Sequence, residues 1–433
     1  MRIEVTDLNL TKEQQEILDG KQGDILARIM ETLVRYGELF GADSMVPVTS
    51  KYNHLVTSFG LKALAPVYEL MDRLIESGNV SKQKFSADPR PLDPNVPSSF
   101  LQNVVFKNFM YSRQESYEKQ LNQLGLMDQD AFTCTCYMNE VGNTPAMGDV
   151  LSWSESSAVV YANSVLGARC NRNSGIIDLM GSVAGFVPNF GLLTDEGRKA
   201  TWIVKIETTK KPEAQLLGSA IGMKVMAEVP YIVGLDQWLS GGLDEDAKTY
   251  LKDFGAATAS NGAVGLYHVE NITPEAVKYG KDLIKENAKV YVVDDAELER
   301  VYQSYPVIWK KKDATPKLCF MGCPHMSLNQ LIDWTKKIEE SLKKYGKTKV
   351  CIPTVFTAAP AVLKKFEETP YAATLKQAGV ITSYICPLMY MNNPLSEKMP
   401  VITSSNKLRT YTSARYYTDA EILEQITKGG VAR

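Results

Sequence analysis

The sequence predicts an α/β protein with a mostly helical N-terminal part and a C-terminal α/β/α domain. Two observations lead to this fold class. From Ile25 to Phe40 apolar residues recur at the spacing of one helix face, and beyond Val290 short apolar runs alternate with helical patterns. Because strands that alternate with helices build layered sheets, we expect mainly parallel strands in the C-terminal part.

Helices are predicted to open the chain. Thr11 and Gln14 form a capping-box pattern, and the helical spacing that ends at Phe40 follows Gly23. A short polar stretch further on carries four prolines, at Pro89, Pro91, Pro94 and Pro97. Because proline lacks an amide hydrogen and fixes φ, we expect a loop there, at a domain edge near the functional site.

The middle of the chain is predicted to contain both helices and strands. Ala158 to Leu166 fits a helix, and Trp202 to Ile206 fits a buried strand. The small residues from Gly255 to Val269 predict a turn and a strand. Thr273, followed by a proline and an acid, is typical of an N-cap, so a helix is predicted to run from there towards Asn287.

Strands and helices alternate in the last third of the sequence. The strand candidates are Val290 to Val293, Lys317 to Met321, Lys349 to Pro353 and Val380 to Ile385, and the helix candidates are Ser327 to Lys344 and Ala358 to Glu367. We therefore predict three domains: a mostly helical region at 1–110, a central α/β domain with polar motifs at 111–288, and the α/β/α domain at 289–433.

Composition limits the classes of partner. The chain has 48 Lys and Arg against 50 Asp and Glu, so its net charge of −2 gives no general attraction for nucleic acid or an anionic membrane. Met1 to Leu18 lacks the apolar core of a signal peptide, and charges and a proline interrupt the apolar stretch Leu216 to Leu235. We expect a cytoplasmic protein that binds neither nucleic acid nor membrane.

Two of the seven cysteines follow predicted strands. Cys323 and Cys386 each lie at a predicted strand end and precede a proline. Ligands of α/β sheets bind at the carboxyl ends of strands, so these thiols are candidates for a shared ligand. The alternative is that each is a small buried apolar residue, which is common for free cysteine.

Metal ligation would require donors from distant segments. Cys134 and Cys136 form a Cys-x-Cys pair before a polar turn that contains Asn143, and either thiol could be the ligand. No Cys-x2-Cys pair or histidine cluster exists in the sequence, so three or four donors must be assembled by the fold. A cysteine nucleophile at Cys323 assisted by His325 is a further alternative.

Polar residues are unusually dense in two segments. The first carries Glu155, Ser156, Ser157, Asn163, Arg169 and Arg172, and the second runs through Ser405 to Lys407. Arginine is suited to binding carboxylates, so the first segment predicts contacts with an acidic substrate. An internal ion-pair network of Glu155 with the arginines is an equally good alternative, and Lys407 taken by itself is better interpreted as solvated.

These segments together resemble the aconitase X family. The resemblance rests on Cys134-Thr135-x-Tyr137, Glu155 to Val159, Tyr161 to Arg169, Gly322-Cys323-Pro324-His325 and Thr403-x-Ser405-x-Lys407. It implies aconitase-like layers and an iron–sulfur cluster (2Fe-2S, 3Fe-4S or 4Fe-4S) on Cys134, Cys323 and Cys386, with the other four cysteines structural. The departures are Cys136, where the family usually has proline, and Cys170, where it usually has threonine.

The resemblance also implies an activity and a partner. We expect the large subunit of a hydro-lyase, working with a small swivelling-domain subunit. The substrate would be a small hydroxy acid, with cis-3-hydroxy-L-proline slightly preferred and 5-phosphomevalonate the alternative; a non-catalytic iron- or redox-responsive binding protein is the other class. The expected catalytic residues are Ser405, Lys407, His325 and Tyr137, and the expected substrate contacts are Asn143, Glu155, Ser156, Ser157, Asn163, Arg169 and Arg172.

Overall fold

A computed structural model describes residues 8–239 and 241–429, which leaves out Met1 to Asp7 of the charged N-terminal segment. The α-helices are α1 Lys12–Leu18, α2 Asp24–Leu39, α3 Ala65–Glu76, α4 Phe100–Val105, α5 Gln114–Leu124, α6 Ser156–Ser164, α7 Gly175–Ala184, α8 Ala214–Val225, α9 Glu245–Asn261, α10 Pro274–Tyr279, α11 Asp295–Gln303, α12 Leu328–Lys344, α13 Pro360–Glu367, α14 Pro370–Gln377, α15 Pro387–Met391, α16 Asn406–Tyr411 and α17 Asp419–Lys428. A π-helical turn at Phe106–Met110 continues α4, and the 3-10 turns are Gly191–Leu193, Glu196–Arg198, Asp236–Trp238 and Gly280–Leu283. Within these ranges no helix is both long and apolar enough to cross a membrane.

The strands form two larger and two smaller sheets. They are β1 Met45–Pro47, β2 Asn53–Leu55, β3 Phe85–Ala87, β4 Phe186–Pro188, β5 Ala200–Ile206, β6 Pro230–Val233, β7 His268–Val269, β8 Ile284–Val293, β9 Leu318–Met326, β10 Thr354–Ala358, β11 Val380–Ser383, β12 Val401–Thr403 and β13 Arg415–Tyr416. The larger sheets, β7-β6-β5-β8 and β11-β10-β9-β12-β13, are parallel throughout, which confirms the predicted α/β fold class.

In a small parallel layer near the N-terminus, several chain segments run in the same direction. Strand β2 pairs in parallel with β3, so His54 lies opposite Ser86. Single bridges extend this layer on both sides, from His54 to Trp153 and from Ala87 to Phe132. The residues that follow these bridged positions therefore leave the layer at the same edge.

Several predicted elements form as expected. Helix α1 has the capping box of Thr11 and Gln14, α12 begins after the N-cap Ser327, and the stretch of four prolines forms no helix or strand. The predicted helix at Ala158 forms as part of α6, and the strand at Trp202 forms as part of β5. The domain boundaries stay predictions, and β8 runs through position 288.

Three predicted elements are wrong in extent. The helix after Thr273 does not run towards Asn287, because the chain turns at Gly280, with φ of 54°, and then joins the sheet as β8. Residues 349–353 precede a strand rather than forming one, since the Val350 amide bonds to Ala378 before β10 begins. Strand β9 continues past Met321 to Met326, so Cys323 lies inside the strand.

In the range predicted as a turn and strand, the small residues from Gly255 to Asn261 form the end of a helix, whereas a strand does form at the end of the range as β7. Gly255 lies inside α9, which packs closely against α8. A Cβ on Gly218 of α8 would lie 2.3 Å from the carbonyl oxygen of Phe254, and one on Gly222 would lie 2.7 Å from that of Thr258. Small residues are therefore used here for close approach of two helix backbones, which outweighs their low helix propensity.

We expect Gly218→Ala to destabilise the protein by about 1–3 kcal/mol, because overpacking against the α9 backbone outweighs the gain in helix propensity. The measurement is the free energy of unfolding in urea. Gly242→Ala is the control, since a Cβ there meets nothing within 4 Å. Equal stability of both variants with the wild type would show that α8 and α9 do not pack this closely.

Candidate active site

Two sets of chain segments meet at the candidate site. The small N-terminal layer supplies Asp88, Cys134 and Glu155, each just after a bridged position. The five-stranded sheet supplies Cys323 from β9 and the segment after β12. The proline-rich loop joins the two sets, since the carbonyl of Arg90 accepts the amide of Cys386 at 2.9 Å and Asp93 accepts the Ser383 hydroxyl at 2.7 Å.

The cysteines predicted as ligands lie within electrostatic reach of one another. Burial raises the pKa of Cys134, Cys323 and Cys386, that of Cys386 to about 12. Charge on Cys323 adds to the rise at the other two, whereas the ammonium of Lys407 lowers the pKa of all three. The Cys134 sulfur also accepts the backbone amide of His325 at 3.4 Å.

This donor set fits an iron–sulfur cluster by its chemistry. Across residues 8–239 and 241–429, no group of three or more His, Cys, Asp or Glu side chains is arranged around one point where a single metal ion would bind. A cluster spreads its ligands over several irons, so its thiolates need not converge on one point. The two buried thiols of Cys323 and Cys386 and the half-buried thiol of Cys134, all near the ammonium of Lys407, are suited to such a group.

A buried ion pair lies beside the thiols. Lys407 donates to Glu155 Oε1, and the side chains are 9% and 5% exposed. Glu155 is the N-cap of α6, where its Oε2 accepts the Ala158 amide and the Ser157 hydroxyl, each at 2.6 Å. Burial disfavours the charged form of both side chains, but the attraction between the two charges outweighs this effect. The pKa of Glu155 is therefore lowered and that of Lys407 is raised. The prediction of a solvated Lys407 is therefore wrong.

His325 is held at both ring nitrogens. Its Nδ1 lies 2.9 Å from the Thr133 hydroxyl, and its Nε2 lies 3.1 Å from the carbonyl oxygen of Ile385. Burial lowers its pKa to about 4, so the ring is neutral at pH 7. This arrangement leaves no ring nitrogen directed at Cys323 and gives no support to the cysteine-nucleophile alternative.

Ser405 and Tyr137 occupy different surroundings. The Ser405 hydroxyl donates to the carbonyl of Cys323 and caps α16 by accepting the Leu408 amide at 3.1 Å. The Tyr137 ring stacks on Tyr161, with centroids 3.7 Å apart. In the described part of the chain its buried hydroxyl has no hydrogen-bond partner, and burial raises its pKa well above the usual range.

Other predicted substrate contacts are engaged elsewhere. Arg169 pairs with Asp195 and donates to the carbonyl of Leu193 at 2.7 Å. The Asn163 amide donates to the carbonyls of Cys170 and Gly265, both at 2.8 Å. Neither side chain is directed to the thiols in this structure, and both act as internal braces.

Ser156 and Arg172 line a separate cavity of about 630 Å³ next to the ion pair. Arg172 donates to the carbonyl of Ala259 at 3.4 Å, its one hydrogen bond among the described residues. The charge of Glu155 also acts on it. Cys323 and Ser405 line a second cavity of about 460 Å³.

The four remaining cysteines differ in burial. Cys136, Cys170 and Cys319 are buried, as expected for structural residues, but Cys351 is exposed. The Cys351 sulfur accepts from the Lys347 ammonium at 2.9 Å at the surface. It lies outside the candidate site.

A buried polar network at this site was missed from the sequence. His54 Nδ1 lies 2.9 Å from the Ser86 hydroxyl, and its Nε2 lies 3.5 Å from Asp88 Oδ1. Asn143, which the sequence assigned to substrate, donates to Ser86 at 2.8 Å. The only local signal was the position of Asp88 directly before the proline-rich stretch; nothing in the sequence paired it with His54.

This chain is similar to known proteins over most of its length. The family models "Aconitase X first domain" and "Aconitase X second domain" match residues 7–196 and 200–303. The chain is 33% identical over 356 residues to the phosphomevalonate dehydratase large subunit of Thermococcus kodakarensis, covering 82% of each chain. It is 25% identical to the cis-3-hydroxy-L-proline dehydratase of Hypocrea jecorina, covering 75% of this chain and 52% of that one.

A solved structure is similar over nearly the whole chain. The crystal structure of Thermococcus kodakaraensis aconitase X (holo-form) superposes with a TM-score of 0.78 and 28% identity, covering 97% of this chain and all of that one. The named relatives are dehydratases, which confirms the predicted hydro-lyase class. The chain belongs to the aconitase X family of hydro-lyases.

Proposed function

We propose that this chain is the large subunit of an iron–sulfur hydro-lyase that removes water from a hydroxy acid. One observation carries the proposal. Cys134, Cys323 and Cys386 come from distant segments, and the ammonium of Lys407, which is paired with Glu155, lowers the pKa of all three. A cluster held by these thiolates would supply a Lewis-acidic iron for a substrate oxygen. The chain's own side chains would bind and orient the substrate around it.

Lys407 is suited to hold the substrate's carboxylate. An ammonium has three donors, and those of Lys407 reach Glu155 and, at 3.5 Å, the Ser157 hydroxyl. The third donor is left for an anionic ligand. Glu155 keeps this amine charged and fixed in direction, and Ser157 holds Glu155.

His325 is better suited to hold the site than to move a proton. Its ring bridges Thr133 and Ile385, which brings the Cys134 segment close to the Cys386 segment. With its pKa lowered to about 4 it stays neutral near pH 7. Ser405 likewise joins β9 to α16 through the Cys323 carbonyl.

Among hydroxy acids, 5-phosphomevalonate becomes the first candidate. The relatives that are 30–33% identical are phosphomevalonate dehydratase large subunits, whereas the hydroxyproline dehydratases are 25–27% identical. Arg172, weakly bonded beside Glu155, supplies a cation for a phosphate group. The words "large subunit" in the relatives' names support a small-subunit partner for this chain.

The cluster proposal predicts iron and acid-labile sulfide in the anaerobically purified protein. Cys134→Ser, Cys323→Ser and Cys386→Ser should each lose them, because thiolates are the expected ligands. Cys351→Ser, at the exposed cysteine, should retain both elements. Loss of iron and sulfide in Cys136→Ser, with both retained in Cys134→Ser, would show that Cys136 is the ligand in place of Cys134. A wild-type protein that stays metal-free after reconstitution would refute the cluster.

The substrate proposal predicts that the chain, with a small subunit, dehydrates 5-phosphomevalonate faster than cis-3-hydroxy-L-proline. The measurement is the initial rate of product formation by mass spectrometry, with Cys323→Ser as the inactive control. Turnover of hydroxyproline alone would reverse the choice of substrate but keep the hydro-lyase. Turnover of neither would leave only the cluster measurement in support of the proposal.

The ion-pair argument predicts that Lys407→Met is inactive and destabilised by about 3–5 kcal/mol at pH 7, because Glu155 stays buried and charged. Glu155→Gln/Lys407→Met should recover most of the stability without recovering activity. The free energy of unfolding and kcat are the two measurements. If the double variant is as unstable as Lys407→Met, the loss does not come from the unpaired carboxylate.

A further inference from the structure

We propose that Asp88, held by His54, is the proton-transfer group of this site. The inference rests on the proposed function and extends it. Ser405, Lys407 and His325 are engaged in hydrogen bonds. The Tyr137 hydroxyl has no partner among the described residues, but its ring belongs to a stacked tyrosine pair and burial raises its pKa well above the usual range. Asp88 was not among the residues expected from the sequence. Its assignment comes from the buried network that the fold builds around His54.

The backbone brings the members of this network together. His54 is the middle residue of β2, and its register partner in β3 is Ser86. Asp88 follows β3 directly. On the other side His54 bridges to Trp153, two residues before Glu155, and the Trp153 ring meets the imidazole edge-on at 5.8 Å. Both neighbours of β2 thus lead to a carboxylate.

The hydrogen bonds around His54 determine which of its ring nitrogens carries the hydrogen. The Asn143 amide donates to the Ser86 hydroxyl at 2.8 Å. The hydroxyl hydrogen then has two acceptors, the His54 Nδ1 at 2.9 Å and the Asn53 carbonyl at 3.5 Å, and the nearer one is favoured. A neutral ring that accepts at Nδ1 carries its hydrogen on Nε2, and a charged ring carries it there as well.

Nε2 is therefore directed at Asp88 Oδ1, 3.5 Å away. In the described residues neither of these buried atoms has a hydrogen-bond partner, and the Cys136 thiol also lies close enough to act on His54. The His54 side chain is fully buried, while the Asp88 side chain keeps 11% of its surface exposed. Of the two side chains, only that of Asp88 retains exposed surface, where a substrate would approach it.

Asp88 also faces the rest of the site. The charges of Glu155 and Lys407 act on it, and its own charge acts on Cys386. Burial raises the pKa of Asp88, which makes its carboxylate a stronger base than an exposed one. A substrate held by Lys407 would lie next to this carboxylate.

The proposed step conserves atoms and charge. The Asp88 carboxylate takes the hydrogen, as a proton, from the carbon beside the substrate's carboxylate. The electron pair of that C–H bond forms the C=C bond, and the hydroxyl leaves with the C–O electron pair. The proton then joins the departing hydroxide to give water, which restores the Asp88 carboxylate for the next turnover. His54 Nε2, 3.5 Å from Oδ1, would orient the carboxylate, so His54 is a positioning residue.

The first test uses the reconstituted two-subunit enzyme with whichever of the two substrates the wild type turns over. Asp88→Asn keeps the shape of the side chain and removes its basicity, so we expect kcat to fall by about 10²–10⁴-fold with KM changed less than about 3-fold. Iron and sulfide content should match the wild type. A kcat within about 3-fold of the wild type would overturn the proposal.

A matched pair of variants tests the positioning role of His54. Glutamine places an amide donor near the position of Nε2, and asparagine places one near that of Nδ1. We expect His54→Gln to retain kcat within about 10-fold and His54→Asn to lose about 100-fold or more. Equal loss in both variants would overturn the role of the Nε2 hydrogen.

A third measurement needs no activity, so it separates failure of this inference from failure of the proposed function. The chain has three histidines, so ¹⁵N-histidine spectra can be assigned with His54→Gln. We expect a hydrogen on His54 Nε2 at pH 7, and Asp88→Asn should shift that resonance. An unprotonated Nε2, or a resonance unchanged by Asp88→Asn, would overturn the pairing.

Discussion

The structure depends most on the buried ion pair between Glu155 and Lys407. These residues are 252 positions apart, so the pair joins the N-terminal layer to the C-terminal sheet. Removing both charges from water costs several kcal/mol for each ion, and the cost is offset only where further hydrogen bonds complete the pair. Ser157 and the Ala158 amide at the start of α6 supply those bonds.

A second buried pair holds the other end of α6. Arg198 and Glu275 are 1% and 6% exposed and make paired hydrogen bonds, two of them at 2.8 Å. Arg198 also donates to the carbonyl of Asn163 at 3.0 Å. Helix α6 is thus tied to buried charges at both ends, which fixes Glu155 relative to the four-stranded sheet. This explains why Asn163, although it lies in a motif of the family, is engaged inside the protein.

The site concentrates polar atoms that the protein alone leaves incomplete. Tyr137 Oη, His54 Nε2 and Asp88 Oδ1 are buried without a hydrogen-bond partner in the described ranges. Leaving such a group unpaired costs about 1–3 kcal/mol. Their position beside three thiols and an ion pair is what is expected where a cofactor and a substrate complete the hydrogen bonding.

The sequence by itself determined the local elements and the reactive residue types. Capping residues and helical spacing predicted α1, α2 and α12, because these signals act within a few residues. The motifs also led to the prediction of Glu155, Lys407 and the three cysteines as site residues. The predicted ends of elements were wrong where contacts with distant segments determine them. At α10, for example, residues that could continue the helix instead form β8, which pairs with β5.

Only the tertiary structure decided which polar groups face one another. From the sequence alone, Lys407 was best interpreted as solvated, because nothing in the residues around it indicates that it pairs with Glu155. His54 and Asp88 were not identified because their proximity follows from the pairing of β2 with β3, a contact between segments more than thirty residues apart. Short-range patterns fix the backbone locally, but charge pairing and hydrogen bonding of buried side chains depend on long-range packing, which no single segment encodes.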